Sequence, residues 1–403
     1  MKTVIIKVFE FLYWSFYFFF KTFIIAFFIP IINKICNIFI KVKKNRIMFC
    51  SRRGESFSCN PKYIYNYLKD LPEFKDFQYI WVLNKNYNNL INEPNTIIVK
   101  YNSLKFYYYL FSSKIIIHNN GSFKYWLPCE KQLFVETWHG GGAYKRATKP
   151  IETMNPFGRL FFRYSYPHKN TLFISSSQIF TRCLIEADYH YYGKILSSGL
   201  PRNDILFNRL DKRIIKIKES LGLPLRKKII LYAPTWKSRQ EIAKISLDFG
   251  LLLETLKNKF GDEWIILQRS HSIQKLELSD KTIDVSEYQD MQELLLISDV
   301  LLSDYSSCIW DYSFTYKPCF LFCPDLTNYL ENFDFYIDIY KWRFPVAKNN
   351  AELVENIYNY NQKTYEENIR QHHQEYGSYE LGKACFEFYR YISNFINQTD
   401  SPN

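Results

Sequence analysis

The sequence lacks several patterns that would assign a function directly, and each absence excludes a class of protein. Its nine cysteines are scattered and odd in number, without the paired spacing of a zinc site or a disulfide framework. This argues for a reducing, cytosolic compartment. No helix-turn-helix, zinc-finger or RNP-like pattern is present, so we do not expect nucleic acid as a partner. No Asp-x-Asp box lies in a matching loop, and we expect neither an obligatory metal nor another cofactor.

The chain is long, rich in apolar residues and positively charged. With 403 residues it exceeds one ordinary hydrophobic core, which predicts two domains. Apolar residues make up 47% and charged residues 23%, the composition of a globular protein rather than a disordered one. The net charge of +12 favours an anionic partner, such as a membrane surface, a nucleotide or a phosphate-rich polymer.

The N-terminal segment, residues 1–45, is almost wholly apolar and aromatic as far as Ile40, and the basic cluster Lys41–Arg46 follows. An apolar segment beside a basic cluster is typical of an anchor on an anionic membrane surface. We favour a membrane-surface helix pair, with a transmembrane helix and an ordinary buried hairpin as alternatives. No cleavage site follows the apolar core, so a signal peptide is not predicted. The positive charge after the apolar segment predicts that the chain lies at the cytoplasmic face of the membrane.

From Ile47 onward, short apolar strands alternate with helices, which indicates parallel βαβ units. We predict one Rossmann-like domain in residues 46–205, a second in residues 206–360, and helices in residues 361–397. The predicted strands are Ile47–Cys50, Phe77–Leu83, Thr96–Val99, Ser113–Ile117, Lys131–Thr137, Asn170–Ser175, Ile195–Gly199, Lys228–Tyr232, Trp264–Leu267, Ile283–Val285, Val300–Leu302 and Cys319–Cys323. In such sheets the ligand crevice lies beyond the carboxyl ends of the strands. Polar residues at strand ends are therefore the candidates for a site.

The strand end at Ser303–Ser307 in the second half carries an aspartate and paired hydroxyls before the next helical pattern. Backbone N–H groups at a helix start, beside the hydroxyls of Ser306 and Ser307, suit a phosphate. The alternative for Asp304 and the serines is a simple helix N-cap. Two neighbouring strand ends present Thr235 and Arg269. Hydroxyls, cations and helix starts converging on one sheet edge predict a diphosphate site.

In the first half, a histidine stands between a strand end and three glycines, Trp138-His139-Gly140-Gly141-Gly142. Glycine lets the backbone approach a ligand closely, and His139 suits proton abstraction near neutral pH. Lys145 and Arg146 follow, and cations of this kind bind phosphate. A turn after Ile195–Gly199 places Arg202 near the cleft. His372 and His373 lie in a polar run and are predicted to be exposed.

Five segments in order carry a resemblance to a known family: Thr137–Gly140, Gly199–Asp204, Tyr232–Trp236, Arg269–His271 and Ser303–Ser307. Together they resemble the CDP-glycerol glycerophosphotransferase family over roughly residues 110–390. The resemblance implies a GT-B architecture, two Rossmann-like domains with the active site between them. It also implies transfer of glycerol phosphate, or a related polyol phosphate, from a CDP-activated donor to a hydroxyl of a membrane-linked glycan or polymer, with release of CMP.

By match of motif, the resemblance implies roles for individual residues. His139 would be the general base, and His271 a second catalytic residue that binds the donor pyrophosphate with Arg269. The remaining assignments are donor phosphate binding by Ser306, Ser307 and Arg202, nucleotide binding by Pro234, Thr235, Trp236 and Asp304, and an acceptor side formed by Gly140, Gly141, Lys145 and Arg146.

Two departures from the family pattern leave the transferred polyol and the acceptor open. Gly141-Gly142 stands where the family usually has Thr-Pro, and Asp334 stands where a glycine usually precedes the aromatic pair. Two other functions stay open at this point. One is a GT-B glycosyltransferase that uses a nucleotide sugar, and the other is a non-enzymatic membrane scaffold, which predicts no nucleotide binding.

Overall fold

Two parallel sheets with helices packed against them form the main body of the protein in a computed structural model. The structure describes residues 2–84, 91, 93–121, 123, 126–146, 154–165, 170–208, 211–235, 247–270 and 279–400. Within these residues the first sheet has seven strands and the second has six. The two-domain α/β fold predicted from the alternating pattern is confirmed.

The first sheet has the strand order β3-β2-β1-β4-β5-β6-β7, and every pair is parallel. Its strands are Lys43–Cys50 (β1), Gln78–Val82 (β2), Thr96–Val99 (β3), Ser113–His118 (β4), Leu133–Glu136 (β5), Leu172–Ile174 (β6) and Ile195–Leu196 (β7). In β1, Ile47 and Phe49 face one hydrophobic cluster, whereas Met48 and Cys50 face another. The strand is apolar throughout its buried half because both faces of the sheet are covered.

The second sheet repeats this layout with the order β10-β9-β8-β11-β12-β13, again wholly parallel. Its strands are Lys228–Tyr232 (β8), Trp264–Gln268 (β9), Thr282–Asp284 (β10), Val300–Ser303 (β11), Cys319–Phe322 (β12) and Val346–Ala347 (β13). The short β13 was not predicted, since two residues carry no readable pattern. In both sheets the strand order reverses once, between β1 and β4 and between β8 and β11. Ligands of doubly wound sheets bind beside such reversals.

Helices connect these strands and cover the sheets. The α-helices of the described residues are Lys2–Phe23 (α1), Ile29–Phe39 (α2), Cys59–Lys69 (α3), Leu104–Ser112 (α4), Pro156–Ser165 (α5), Asp204–Phe207 (α6), Asp211–Ser220 (α7), Phe249–Phe260 (α8), Met291–Ile297 (α9), Cys308–Ser313 (α10), Leu326–Asn332 (α11), Asn350–Tyr358 (α12), Gln362–Tyr376 (α13) and Ala384–Asp400 (α14). Short 3₁₀ turns lie at Arg52–Gly54, Pro72–Phe74, Pro201–Asn203 and Ile339–Trp342, and π-helical turns at Ile24–Phe28 and Phe180–Asp188.

The last two helices pack against different parts of the molecule. In α13, Tyr365 and Ile369 belong to the cluster under the second sheet, whereas Phe388 and Ile392 of α14 belong to a cluster of the first sheet. The last helix therefore crosses back to the first domain. The prediction that His372 and His373 are exposed is wrong. His372 is fully buried, with its Nε2 2.7 Å from the Tyr144 hydroxyl, and His373 is half-buried, with its Nε2 2.7 Å from the Ser313 hydroxyl.

The N-terminal segment forms one uninterrupted helical run, in which α1 and α2 are joined by the π-helical turn. One face of α1 packs on α5, where the Phe18 and Phe161 rings are 5.5 Å apart. Many large apolar side chains elsewhere on the run are exposed, including Phe16 and Phe39, so it is not a buried hairpin of the core. The 30-residue stretch Glu10–Phe39 is long and apolar enough to cross a membrane by length and composition.

Candidate active site

A cleft of about 720 Å³ lies between the carboxyl ends of the two sheets. Both domains line it, as expected for a GT-B architecture. We call two sets of its residues the first wall and the second wall. The first wall consists of Arg52, Asn119, His139, Gly140, Lys145 and Arg146, and the second wall of Pro234, Thr235, Arg269, Ser306 and Ser307.

His139 is the first-wall residue best placed for proton transfer. Its Nδ1 lies 2.7 Å from the Asn119 carbonyl oxygen. Because a carbonyl only accepts, Nδ1 carries the hydrogen, and Nε2 keeps a lone pair on a ring that borders the cleft. Enclosure by the surrounding protein lowers the pKa of His139 to about 4, the Asn119 carbonyl opposes this, and the charges of Arg202, Arg52 and Lys145 lower it further. The histidine is therefore neutral, as a general base must be.

A buried pair beneath His139 ties two strand-end loops together. Glu136, the last residue of β5, accepts hydrogen bonds from the backbone N–H groups of Trp138 and Gly121, at 2.8 and 3.1 Å. The Nδ1 of His118 lies 3.3 Å from the Glu136 carboxylate, and its Nε2 lies 2.8 Å from Asn170 Oδ1. Burial raises the pKa of Glu136 to about 8 and lowers that of His118 to about 4, so both groups are neutral at pH 7.

The three glycines after His139 approach the second domain closely. A Cβ on Gly140 would come within 2.6 Å of Ser307 Oγ, and a Cβ on Gly141 within 2.1 Å of the Trp310 ring. Such distances are far below van der Waals contact. The close approach of the glycines to Ser307 and α10 brings His139 beside the second wall. Gly140 and Gly141 also line the cleft, and their predicted place on the acceptor side remains a prediction.

Arg202 lies beneath the contact between the glycines and α10 rather than on an open surface. Its Nη1 donates to the His139 carbonyl at 2.8 Å, and its Nη2 forms a 2.6 Å ion pair with Asp311 of α10. Both side chains are almost completely buried. Removing one partner of such a buried ion pair would leave the other charge buried without compensation, which is costly. These contacts position the His139 loop, and the phosphate contact of Arg202, which also lines the cleft, remains a prediction.

The second wall starts at the reversal between β8 and β11. Asp304, buried just after β11, accepts hydrogen bonds through Oδ1 from Thr235 N, Thr235 Oγ1 and Tyr305 N, at 2.8, 2.5 and 2.6 Å. It lies behind the cleft surface and fixes Thr235 at that surface. Ser307 occupies the N-cap position of α10, yet its side chain makes no capping hydrogen bond. The simple N-cap alternative therefore does not account for the Ser307 hydroxyl, which faces Gly140.

Arg269 supplies positive charge to the second wall. It follows β9, and its Nη1 is buried without a hydrogen-bond partner among the described residues. Burial lowers the pKa of Arg269 to about 10, and the nearby Asp290 opposes this shift. A buried guanidinium with unused hydrogen-bonding capacity is costly unless a ligand satisfies it. An anion in the cleft would do so.

Arg146, predicted to lie on the acceptor side, contacts one position where the chain departs from the family pattern, and its role remains a prediction. Arg146 donates its backbone N–H to the Asp334 carbonyl at 2.9 Å, and its Nη1 lies 3.5 Å from the Asp334 carboxylate. The backbone N–H of Tyr336 donates to the Tyr144 carbonyl at 3.0 Å. Asp334, one of the two departures, thus lies beside Arg146, which borders the cleft.

Some site residues fall outside this picture. His271 and Trp236 lie outside the described residues, and their roles remain predictions. Within the part of the chain that the structure describes, no group of three or more His, Cys, Asp or Glu side chains could hold a metal ion. Sequence reasoning missed Arg52 and Asn119. These two residues follow β1 and β4, the neighbouring strands at the reversal of strand order. The sequence does not show which strands are neighbours, so it gave no signal for them.

Comparisons with known proteins agree with this geometry. The family described as CDP-Glycerol:Poly(glycerophosphate) glycerophosphotransferase matches residues 32–394. A teichoic acid poly(glycerol phosphate) polymerase of Bacillus spizizenii is 31% identical, covering 84% of this chain and 89% of that protein. A teichoic acid glycerol-phosphate transferase of Staphylococcus aureus is also 31% identical, covering 77% and 83%.

A solved structure of the wall teichoic acid polymerase TagF with CDPG has a TM-score of 0.77 to this protein at 29% identity, covering 94% of both chains. The chain spans about half the length of two other relatives named as poly(glycerol phosphate) polymerases, 51% and 44%. The family match covers most of the sequence and includes both walls of the cleft. The chain therefore belongs to the CDP-glycerol:poly(glycerophosphate) glycerophosphotransferase family.

Proposed function

We propose that the protein transfers glycerol phosphate from CDP-glycerol to a hydroxyl of a teichoic acid or related cell-surface acceptor, releasing CMP. The observation that carries the proposal is the arrangement of the cleft. A neutral histidine with an available Nε2 lies on one wall, and a buried arginine with hydroxyl groups lies on the other. Phosphoryl transfer needs this combination of a base, in-line placement and charge neutralisation.

The reaction balances with the residues present. His139 Nε2 accepts the proton of the acceptor hydroxyl as its oxygen attacks the phosphorus that carries glycerol. The bond from that phosphorus to the CMP oxygen breaks, and CMP leaves with the electron pair. His139 then releases the proton to solvent. Arg269, with the hydroxyls of Thr235, Ser306 and Ser307, stabilises the negative charge on the donor phosphates.

Charge in the cleft also adjusts the base. Desolvation by the surrounding protein and three neighbouring cations make His139 a weak base. A bound diphosphate brings negative charge into the same space and raises the pKa of the histidine toward neutrality. Donor binding therefore activates the base, which limits proton transfer to the occupied site.

We further propose that the protein works at the cytoplasmic face of the membrane, on a lipid-linked acceptor. The exposed apolar side chains of α1 and α2 and the exposed Lys41, Lys43 and Lys44 support an association with anionic lipid. Arg46 does not contribute, because it is buried on β1 and donates to Gln78 and Ser112. Replacing the three lysines by glutamine should weaken sedimentation with anionic vesicles but not with zwitterionic ones. Equal binding by the variant and wild type would exclude this electrostatic contribution, with Lys257→Gln and Lys259→Gln as the control.

Incubation with a panel of CDP-glycerol, CDP-ribitol and a nucleotide sugar tests the proposed reaction. We expect acceptor-dependent CMP release with a CDP-polyol, and thermal protection by the same donor. Protection by the nucleotide sugar alone would support a glycosyltransferase. The absence of binding to any nucleotide would support a scaffold instead.

A further inference from the structure

We infer that Asp311 of the second domain is a positioning residue for His139, the general base of the first domain, and that it acts through Arg202. The inference rests on the proposed function and adds to it a residue that works on the protein rather than on a substrate. It makes proton transfer on the first wall depend on α10, the helix that follows Ser306 and Ser307 of the second wall.

The backbone of the loop that carries His139 is held at three successive carbonyl groups. Asn60 Nδ2 donates to the carbonyls of Thr137 and Trp138, both at 2.9 Å. Arg202 Nη1 donates to the carbonyl of His139 itself at 2.8 Å. Asn60 Oδ1 also accepts from the backbone N–H of Arg202 at 3.0 Å, which joins the two donors to each other. Asn60 and Arg202 together therefore fix the backbone from which the imidazole ring extends.

The second domain in turn holds the Arg202 side chain. Its Nη2 forms a 2.6 Å ion pair with Asp311 of α10, and both side chains are almost completely buried. Gln292 of α9 donates through Nε2 to the same carboxylate oxygen at 2.9 Å. The planar guanidinium thus directs one nitrogen at Asp311 and the other at the His139 carbonyl. Through this group, a carboxylate of one domain contacts the loop of the base in the other.

A second buried carboxylate fixes the turn that carries Arg202 against α10. Glu380 accepts from Leu200 N at 3.1 Å and from Asn203 Nδ2 at 2.9 Å, on either side of Arg202. It also accepts from Trp310 Nε1 of α10 at 3.3 Å. The distance that the guanidinium spans is therefore set by contacts at both of its ends.

Proton transfer depends on where the His139 ring lies. Its contact with the Asn119 carbonyl sets the tautomer, whereas the backbone contacts set the place of the side chain. A displacement of about 1 Å that originates far from the reacting atoms costs about 100-fold in rate. Loss of the Asp311 carboxylate would release Arg202 from α10 and let the His139 loop move, while Thr235 and Arg269 of the second wall stay in place.

The alternative is that the Arg202–Asp311 pair only stabilises the contact between the domains. Asp311→Ala, Arg202→Met and the two together separate the alternatives. Each single replacement leaves the other charge buried without compensation and should lower the melting temperature. The paired variant removes both charges and should melt above either single variant. If the pair is only structural, kcat recovers together with the melting temperature.

The measured rate is acceptor-dependent CMP release from CDP-glycerol with a lipid-linked glycerol-phosphate acceptor. It is divided by the number of sites that bind CDP in calorimetry, so that unfolded protein does not count. We expect Asp311→Ala to lower this kcat by about 10- to 100-fold. Its KM and Kd for CDP-glycerol should stay within about twofold of wild type, because the groups of the second wall are unchanged.

Two further comparisons show whether Asp311 acts through Arg202. The paired variant should be no more than about threefold slower than Arg202→Met, because the second replacement removes a contact that is already lost. Asp311→Asn keeps an oxygen that accepts from Arg202, so it should retain more of kcat than the alanine variant. It also takes the place of Asp311→Ala in the comparison with wild type if the alanine variant does not fold.

Lys62→Met is the matched control. Lys62 forms another ion pair between the domains, with its Nζ 2.5 Å from Asp290 Oδ2, and it lies outside the cleft lining. Its loss should lower the melting temperature but leave kcat within about twofold of wild type.

An equal loss of kcat in Lys62→Met and Asp311→Ala would indicate a general loosening of the domain contact and overturn the inference. Wild-type kcat in the folded Asp311 variants, a weakened donor affinity in them, or recovery of kcat in the paired variant would overturn it as well. A wild-type protein that neither binds CDP-glycerol nor releases CMP would instead contradict the proposed function.

Discussion

The first wall of the cleft is held by left-handed backbone and buried titratable side chains, whereas Thr235 of the second wall is held by a buried carboxylate. Trp138, Arg52 and Arg53 all have positive φ, and Glu136 and His118 lie buried beneath the loops. On the other side, Asp304 joins Thr235 to Tyr305. Proton transfer requires one ring in one orientation and tautomer, which demands a rigid support. Phosphate binding requires several donors within reach, and simpler support suffices.

The largest expected effect comes from replacing His139. It should remove catalysis by the first wall and leave nucleotide binding by the second wall intact. We expect His139→Ala to lower kcat for CMP release by about 10³-fold or more, since general-base catalysis contributes up to this order. Binding of CDP to the second wall should change little. The variant should fold, because the hydrogen bond that the ring makes within the described residues goes to a backbone carbonyl.

The control for this prediction is His190→Asn. His190 is an exposed histidine outside the cleft lining, and its φ of 50° suits asparagine. Near-normal turnover in His139→Ala would remove this residue from the mechanism, and loss of CDP binding would show that the walls are not separable.

Replacing Arg269, the cation of the second wall, should mainly weaken binding of the donor. Arg269→Met keeps the apolar stem but removes the guanidinium, and we expect the Kd for CDP-glycerol to rise by about 10- to 100-fold. Because a buried group with an unpartnered Nη1 is removed, the melting temperature should not fall. Calorimetry and a thermal melt measure both quantities, with the exposed Arg370→Met as control. Unchanged donor affinity would contradict a phosphate contact.

The smallest expected effect is on the pH dependence of stability. It comes from Glu136 and His118, the buried pair behind the first wall. The folded pKa of Glu136 is raised to about 8, so its contribution to stability is lost as pH rises toward 8. The folded pKa of His118 is lowered to about 4, so its contribution is lost as pH falls below its ordinary value near 6.5. The two slopes oppose each other in the acid range. From pH 6.5 to 8 Glu136 contributes a decline, to which the buried Glu380 adds, because burial raises its pKa as well.

Glu136→Gln should remove the Glu136 share of this decline, which amounts to about 2 kcal/mol at most over that range. Denaturant unfolding at pH 6.5, 7.25 and 8 measures it. A wild-type free energy of unfolding that is flat with pH, or one that declines equally in the variant, would show that Glu136 is not the group responsible.

Some residues of the site could be predicted from the sequence, and others could not. His139, Thr235, Arg269 and Ser307 were proposed from their positions at strand ends, and all four line the cleft, because the carboxyl ends of parallel strands share one edge of a sheet. Arg202 was also placed near the cleft, yet its contacts with His139 and Asp311 could not be foreseen. Asp311 lies within an aromatic helical pattern that gives no sign of a partner more than 100 residues away.

The sequence by itself determined the alternation of strands and helices, the apolar N-terminal run and the polar ends of the strands, since hydrophobic period and turn chemistry are local properties. Only the tertiary structure decided the strand orders, the contact of Gly140 with Ser307, and the place of Arg52 beside His139. These depend on which strand ends become neighbours when two sheets bury both faces. That choice is made by packing across the whole chain.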